Sequence, residues 1–218
     1  MKIEYPDLEV LKRGYVERSR ETRRQGEQEA LSRIRQTLID TPIIAAVNEP
    51  PAFEVALQSP PRAVYLLTGN PLSLPGMLQR AAEQGKQCLV NIDFLDGLAR
   101  DRFAVEFLAS HNVAGIVSTR SEILKAAQSF GLITIQRTFS LDSAAVTATR
   151  RSLAQFLPDA VEVLPAMAAP KVARKLLEDH PSLRIIGGGL IETVKEIEDL
   201  LAAGIHAVSV SDQRLWII

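Results

Sequence analysis

The sequence contains only one cysteine, Cys88, which lies in the apolar run Gln-Cys-Leu-Val. A single cysteine excludes an intramolecular disulfide and argues against a cysteine-based metal site, which needs several thiolates. We therefore interpret Cys88 as a buried thiol in a reducing compartment. The spacing of potential ligands predicts no metal site, and we expect no cofactor.

Long apolar runs and an excess of either charge are also missing. No stretch approaches the roughly 18 to 20 apolar residues of a membrane helix, and the start Met-Lys-Ile-Glu-Tyr-Pro-Asp has no apolar signal core. These absences predict a cytoplasmic protein with no membrane partner. Because 25 Lys and Arg balance 26 Asp and Glu, no global basic field favours nucleic acid, and an RNA partner would need a local patch.

Short β-type apolar runs alternate with helical patterns from about residue 41 onward. This alternation is typical of a parallel sheet with crossover helices. Eight strands are predicted: Ile43–Val47, Ala63–Leu67, Cys88–Ile92, Gly115–Val117, Ile133–Ile135, Val161–Leu164, Arg184–Ile186 and Ala207–Val210.

Helix-length segments separate these strands. Thr119 and Glu122 fit a capping box, and Gly85, Gly131 and Gly204 stand where helices are expected to stop. We predict an α/β fold, a single (β/α)8 TIM barrel over residues 41–218, with a doubly wound open sheet as the alternative. The predicted helices are Leu74–Gln84, Phe103–Ser110, Glu122–Phe130, Ser143–Phe156, Pro170–Asp179 and Glu192–Ala203.

Residues 1–40 do not fit the repeat, because the segment from Glu17 to Gln28 has no apolar residue on any face. We interpret this region as an extra charged N-terminal helix or arm. Three roles stay open for it: a helix for solubility, a contact in a homodimer, and an arm that touches RNA.

Two turns at the end of the predicted barrel have the composition of a phosphate site. The seventh strand ends in Gly187-Gly188-Gly189, and the eighth runs into Ser209-Val210-Ser211. Glycine lets the backbone approach an anion, and amides at the start of the next helix can donate to it. Loops after strands seven and eight of TIM barrels often bind phosphate. The candidate phosphate-binding residues are therefore Gly188, Gly189 and Ser211. Ser209 has two equal interpretations, a contact with the ligand and a small residue packed inside the barrel.

Other polar residues stand at strand ends that converge over the barrel mouth. Cationic side chains there can neutralise an anion, and carboxylates can accept hydrogen bonds from hydroxyls, a combination that suits a small polyol phosphate. Arg137 with Glu162 has an equal alternative as a structural ion pair. The candidates are Asn91, Asp93, Arg120, Arg137, Glu162 and Lys171.

Seven short motifs, in order and spacing, resemble the glycerol-3-phosphate-responsive antiterminators of bacterial glycerol operons. The resemblance covers about residues 41–217. Asn91 and Asp96 differ from it, since histidine is usual there. The motifs are Asn91-Ile-Asp-Phe-Leu-Asp-Gly97, Gly115-Ile-Val-Ser-Thr-Arg-Ser121, Gln136-Arg-Thr-Phe-Ser-Leu-Asp142, Glu162-Val-Leu-Pro165, Pro170-Lys171, Gly187-Gly-Gly189 and Leu215-Trp216.

The resemblance implies a barrel that binds glycerol 3-phosphate and acts on leader mRNA to prevent premature transcription termination. It implies that Gly188, Gly189 and Ser211 hold the phosphate. It also implies that Asp93, Glu162 and Lys171 face the glycerol end.

Three functional hypotheses follow. The first is a non-enzymatic, ligand-sensing RNA regulator of glycerol genes. The second is a barrel enzyme acting on a small phosphorylated substrate, with Asp93 or Glu162 as a general base and Lys171 as an electrostatic stabiliser or Schiff-base former. The third is a protein-interaction scaffold that uses residues 1–40. The sequence has no aromatic stacking motif that would locate an RNA-contacting surface.

Overall fold

The computed structural model describes residues 41–217, in which eight parallel strands form a closed barrel in sequence order, with β1 paired to β8. The predicted TIM barrel is confirmed. Closure leaves no strand edge unpaired, as the open-sheet alternative would have done. The strands are β1 Ile43–Val47, β2 Ala63–Leu66, β3 Gln87–Asn91, β4 Gly115–Ser118, β5 Ile133–Phe139, β6 Ala160–Leu164, β7 Arg184–Gly188 and β8 Ala207–Val210.

A helix follows each of the first seven strands in the described part of the chain, and a short 3-10 turn, Gln213–Leu215, follows β8. Further 3-10 turns, Ile92–Phe94 and Ala166–Ala168, lie at the exits of β3 and β6. The helices are α1 Pro50–Gln58, α2 Leu74–Glu83, α3 Arg102–Ser110, α4 Ser121–Ser129, α5 Ser143–Gln155, α6 Ala169–Asp179 and α7 Val194–Ala202.

Side chains of each strand alternate between the barrel interior and the surrounding helices, because successive residues of a strand point to opposite faces. Ile44, Tyr65, Leu89, Ile135 and Ile186 belong to one buried cluster inside the barrel. A second, larger cluster joins the alternate strand residues to the inner faces of the helices. In this alternation Arg137 continues the interior row of Ile133 and Ile135 on β5. Polar residues at the upper end of that row therefore face the barrel mouth.

Two details of the helix prediction were wrong. Helix α1 was not predicted, because it starts on Pro50-Pro51 and Glu49 gives it no side-chain cap. The capping box assigned to Thr119 and Glu122 does not form, since the Thr119 hydroxyl and amide both donate to Asp93. A complete capping box instead opens α7, where Thr193 and Glu196 exchange hydrogen bonds with each other's backbone N–H.

The three glycines that were predicted to end helices do so. Gly85, Gly131 and Gly204 end helices at φ +68°, +71° and +88°, as predicted, in the left-handed region that glycine tolerates best. Within residues 41–217 no helix has the length and apolar content needed to cross a bilayer. The predictions for residues 1–40, a charged helix, a dimer contact or an RNA arm, lie outside the described residues.

Candidate functional site

A cavity of about 420 Å³ opens at the C-terminal end of the barrel. Residues from β5, β6 and β8 form its floor, and the chain leaving β7 and β8 forms its wall. Four of the predicted site residues line it: Arg137, Glu162, Gly189 and Ser211. Its lining comprises Ala46, Leu67, Arg137, Glu162, Leu164, Gly189, Leu190, Ile191, Glu192, Ser209, Val210, Ser211 and Asp212.

A buried ion pair lies on the cavity floor. Arg137 Nε donates to Glu162 Oε2 at 2.6 Å, and Ser209 Oγ donates to Glu162 Oε1 at 2.6 Å. The side chains of Arg137 and Glu162 are only 6% and 0% exposed. Such a pair is expensive to desolvate and repays that cost only when its partners are well placed. The structure thus contains the predicted ion pair, and it also makes the pair part of the cavity.

Gly188 allows this network to form. A Cβ atom at Gly188 would lie 2.5 Å from Ser209 Oγ and 2.7 Å from Glu162 Oε1, closer than van der Waals contact permits. Gly188 ends β7 and pairs in register with Ser209. The absence of a side chain here lets the hydroxyl of Ser209 reach the carboxylate of Glu162.

The chain leaving β7 turns through the left-handed region at two successive residues, Gly189 at φ +76° and Leu190 at φ +59°. Leucine rarely adopts this conformation, and backbone strain of this kind is concentrated at functional sites. No turn or capping hydrogen bond among the described residues uses the backbone N–H of Gly189, Leu190 or Ile191. All three residues line the cavity, so their amides are candidate donors to a ligand there.

The next amides along the chain already have partners. The N–H groups of Glu192 and Thr193 donate to the carboxylate of Glu196, at 2.8 and 2.9 Å. These backbone hydrogen bonds, together with that of the Thr193 hydroxyl, lower the pKa of Glu196. The N-terminus of α7, considered from sequence as an anion-binding element, is therefore satisfied by its own glutamate. The amides without a turn or capping partner belong to the three residues just before Glu192.

The turn after β8 forms the opposite wall. Ser211 is exposed at the cavity, and its backbone N–H takes part in no turn or cap within the described residues. Asp212 accepts from the Arg214 guanidinium at 2.6 Å, and this hydrogen bond lowers the pKa of Asp212. Two carboxylates that line the cavity, Glu162 and Asp212, are thus each paired with an arginine, while Glu192 is exposed at the rim.

Three buried side-chain donors have no hydrogen-bond partner within the described chain. They are the hydroxyl of Tyr65, the Nδ2 of Asn91 and the hydroxyl of Ser140, and the side chains of Tyr65 and Asn91 are fully buried. The pKa of Tyr65 is raised well above its usual value, first by burial and then by the negative charge of Glu162. A buried donor without a partner is costly, so these groups favour a polar ligand or water nearby. The sequence predicted Asn91 but not Tyr65, which reads as an ordinary core residue of an apolar strand.

The remaining predicted site residues, Asn91 among them, do not line the cavity. The carboxylate of Asp93 accepts hydrogen bonds from Ser118 Oγ and from the hydroxyl and amide of Thr119 at 2.7 to 3.1 Å. Arg120 is exposed at the start of α4, and Lys171 is exposed in the first turn of α6. Neither side chain lines the cavity. In residues 41–217 no group of three His, Cys, Asp or Glu side chains could hold a metal ion.

The structure is therefore a TIM barrel with a polar cavity at the C-terminal ends of β5 to β8. Residues 43–216 match the model of the family described as glycerol-3-phosphate responsive antiterminator. The chain belongs to this family. The protein YgcP of Escherichia coli (strain K12) is 29% identical over 180 residues, or 82% of this chain and 93% of that protein.

Two solved structures are similar in sequence as well as fold. A glycerol uptake operon antiterminator-related protein from Thermotoga maritima MSB8 is 33% identical with a TM-score of 0.72, covering 80% of this chain and 96% of its own. A glycerol uptake operon antiterminator regulatory protein from Listeria monocytogenes is 30% identical with a TM-score of 0.75, covering 80% and 94%. Deoxyribose phosphate aldolase from Aeropyrum pernix, at 13% identity and a TM-score of 0.61, over 87% of this chain and 95% of its own, shares the fold alone.

Proposed function

We propose that the protein binds glycerol 3-phosphate in the cavity above β5 to β8 and, in that state, acts on leader RNA as an antiterminator of glycerol genes. The proposal rests on one observation. Backbone amides at the exits of β7 and β8 have no turn or capping partner among the described residues, and the buried carboxylate of Glu162 lies below them. One end of the cavity suits an anion and the other suits hydroxyl groups. Membership of the antiterminator family supports the same ligand.

The phosphate group is assigned to the backbone N–H groups of Gly189, Leu190 and Ile191 and to Ser211. Loops after strands seven and eight are a frequent phosphate site in this fold. Backbone amides bind a phosphate oxygen without the desolvation cost of an extra buried cation. The Ser211 hydroxyl adds a donor from the opposite wall.

The glycerol hydroxyls are assigned to the floor. Among the described residues Glu162 accepts two hydrogen bonds, from Arg137 and Ser209, although a carboxylate has about four lone-pair sites. Tyr65, whose hydroxyl has no partner within the described residues, lies close enough to Glu162 for its negative charge to raise the pKa of Tyr65. A volume of about 420 Å³ lies in the range of small-molecule sites, roughly 300 to 1,000 Å³.

This arrangement does not favour the enzyme hypothesis, because the groups to which it assigned catalysis are bonded to other residues or lie outside the cavity. Both candidate bases are engaged, Glu162 in an ion pair and Asp93 by three donor groups. Lys171 is exposed outside the cavity. A ligand-sensing binding protein needs only a difference in RNA affinity between its free and ligand-bound states, typically about 1 to 3 kcal/mol.

Assembly as a homodimer stays a prediction.

Isothermal titration calorimetry with glycerol 3-phosphate tests the ligand, with glycerol and inorganic phosphate as controls. We expect binding of glycerol 3-phosphate and much weaker binding of either fragment, because each fragment uses one end of the cavity. Ser211→Ala, at an exposed position, should weaken binding without unfolding the barrel. Glu106→Gln, on the outer face of α3, should not change it. Equal affinity of wild type and Ser211→Ala would remove the assigned phosphate site.

Filter binding of the leader transcript tests the regulatory step. RNA affinity should rise when glycerol 3-phosphate saturates its site. If a ligand that binds in the calorimeter leaves RNA affinity unchanged, the antiterminator proposal fails although the ligand site stands.

A further inference from the structure

The side chain of Arg137 has unused hydrogen-bond donors in the ligand cavity. Arg137 lines this cavity, and its side chain is only 6% exposed. Its Nε donates to Glu162, while neither terminal nitrogen forms a hydrogen bond with any other described residue. Donors on a buried cation are costly when no polar group meets them. The terminal nitrogens of Arg137 therefore favour a polar ligand in the cavity.

Arg137 and Glu162 offer donors and an acceptor at the same place on the cavity floor. Glu162 accepts from Arg137 through Oε2 and from Ser209 through Oε1, and each carboxylate oxygen has about two lone pairs. A hydroxyl both donates and accepts hydrogen bonds, whereas a doubly charged phosphate group only accepts them and is repelled by a carboxylate. The pair therefore suits the hydroxyl end of a polyol phosphate better than its phosphate end.

The ring of Phe94 lies over the guanidinium of Arg137. The Cζ atom of Arg137 is 5.5 Å from the centroid of the ring, within the roughly 6 Å reach of a cation–π contact. Phe94 follows the C-terminal end of β3 and is 52% exposed, so its ring approaches Arg137 from the barrel mouth. Glu162 at Nε and the ring at the face of the guanidinium together hold the planar group in one orientation.

The turn that carries Phe94 is anchored by Asp93. The carboxylate of Asp93 accepts hydrogen bonds from Ser118 and Thr119 at the exit of β4, at 2.7 to 3.1 Å. Its backbone N–H donates to Oδ1 of Asn91 at 3.1 Å. These contacts fix the residue that precedes Phe94 to two neighbouring strands. Asp93, which does not line the cavity, thus contributes to the site by placing the ring of Phe94.

We propose that the terminal nitrogens of Arg137 bind the hydroxyl end of the ligand and that Phe94 is the residue that positions them. This inference rests on the proposed function, and it adds to that function a donor for the hydroxyls and a positioning residue outside the cavity lining. A ligand hydroxyl accepts from Arg137 and donates to Glu162. Once the ligand excludes water, the charge of Arg137 is screened less and its contact with Phe94 becomes stronger.

Substitutions of Phe94 test the positioning role by calorimetry with glycerol 3-phosphate. Phe94→Leu keeps an apolar side chain but removes the ring, and we expect about a fivefold loss of affinity, which corresponds to a cation–π contact of about 1 kcal/mol. Phe94→Tyr keeps the ring and should bind as wild type does. The matched control is Phe103→Leu in the first turn of α3, where Phe103 is 78% exposed and does not line the cavity. It should leave the affinity unchanged.

Arg137→Lys tests the donors themselves. Lysine keeps a positive charge for Glu162, but it has neither the planar fork of donors nor a flat face for the ring of Phe94. We expect the affinity for glycerol 3-phosphate to fall by about tenfold or more, because the hydrogen bonds from a charged group to the ligand are lost. Urea unfolding of the same protein checks that the barrel is folded.

Propyl phosphate distinguishes recognition of the hydroxyls from a general effect on the cavity. It has the phosphate group and the carbon chain of glycerol 3-phosphate but no hydroxyl. Phe94→Leu and Arg137→Lys should weaken the binding of glycerol 3-phosphate and leave the affinity for propyl phosphate close to that of wild type. A purely structural role of either side chain would weaken the binding of both ligands by the same factor.

The outcomes separate this inference from the proposed function. If wild type does not bind glycerol 3-phosphate, the proposed function fails. If wild type binds it and Phe94→Leu binds it as tightly as Phe103→Leu does, the positioning role of Phe94 is overturned. If Phe94→Leu and Arg137→Lys weaken glycerol 3-phosphate and propyl phosphate equally, the hydroxyl assignment is overturned, although the ligand site stands.

Discussion

Gly188 is the single residue on which the cavity floor depends most directly. An added Cβ would lie 2.5 Å from Ser209 Oγ and 2.7 Å from Glu162 Oε1. Gly188→Ala must therefore separate Ser209 from Glu162. We expect a cost of about 1 to 3 kcal/mol, as for other overpacked sites, measured by urea unfolding. The affinity for glycerol 3-phosphate should fall with it.

Gly76 is the matched control for this substitution. It lies within α2, and a Cβ there would meet nothing within 4 Å. Gly76→Ala should be neutral or stabilise the protein by up to about 1 kcal/mol, because alanine favours a helix interior. Ligand affinity should not change. A Gly188→Ala protein as stable and as tight-binding as Gly76→Ala would contradict the packing described for the floor.

The ion pair between Arg137 and Glu162 gives a second prediction for single residues. Arg137→Met leaves Glu162 buried without its cation, which should destabilise the protein by about 3 to 5 kcal/mol. Adding Glu162→Gln to the same chain should recover part of that loss, because no buried charge remains. Urea unfolding of the two single variants and the double variant measures the coupling. Strictly additive losses would show that the two charges act independently.

Among the helices, α7 has the best-defined start. The Glu196 carboxylate accepts the N–H groups of Glu192 and Thr193, and these contacts lower its pKa below the ordinary 4.5. The stabilisation is fully present above that ordinary pKa and is lost as pH falls through the lowered one. Glu196→Gln should therefore lower Tm at pH 7, and its difference from wild type should shrink at acidic pH.

Glu106→Gln provides the comparison for this pH series. It removes an equal charge from the exposed face of α3 without touching a cap. Its Tm should follow that of wild type over the whole pH range. A Tm difference for Glu196→Gln that stays constant down to pH 3 would mean that the carboxylate charge does not contribute to the cap.

The strands were easier to predict than the helix ends. A strand such as Ile43–Val47 is a continuous apolar run, because it is buried by the barrel interior and by the helices. Cap residues form alternative hydrogen bonds that depend on neighbours distant in sequence. Thr119 has the composition of a cap, yet Asp93 lies within 2.7 Å of its amide. That contact exists only because β3 and β4 are adjacent in the barrel.

The candidate site, like the helix caps, could be predicted only where it depends on local sequence. Gly188, Gly189, Ser211, Arg137 and Glu162 were predictable, because glycines and charged residues at strand ends are unusual enough to stand out. The opening of the cavity between the exits of β7 and β8 could not be derived from local patterns. Asn91 Nδ2 and the Tyr65 hydroxyl become unpartnered donors only once the barrel closes around them.

For the molecule as a whole, the proposed function requires the ligand cavity and the RNA-binding surface to influence each other. Linkage requires the effect to be reciprocal: the factor by which ligand tightens RNA binding equals the factor by which RNA tightens ligand binding. We expect saturating leader RNA to lower the Kd of glycerol 3-phosphate by about 5- to 150-fold, the range of typical couplings. Calorimetry with and without RNA measures it, with a scrambled RNA of equal length as control. A ligand Kd that is unaffected by bound leader RNA would mean that the two sites are independent and that the barrel does not act as a switch.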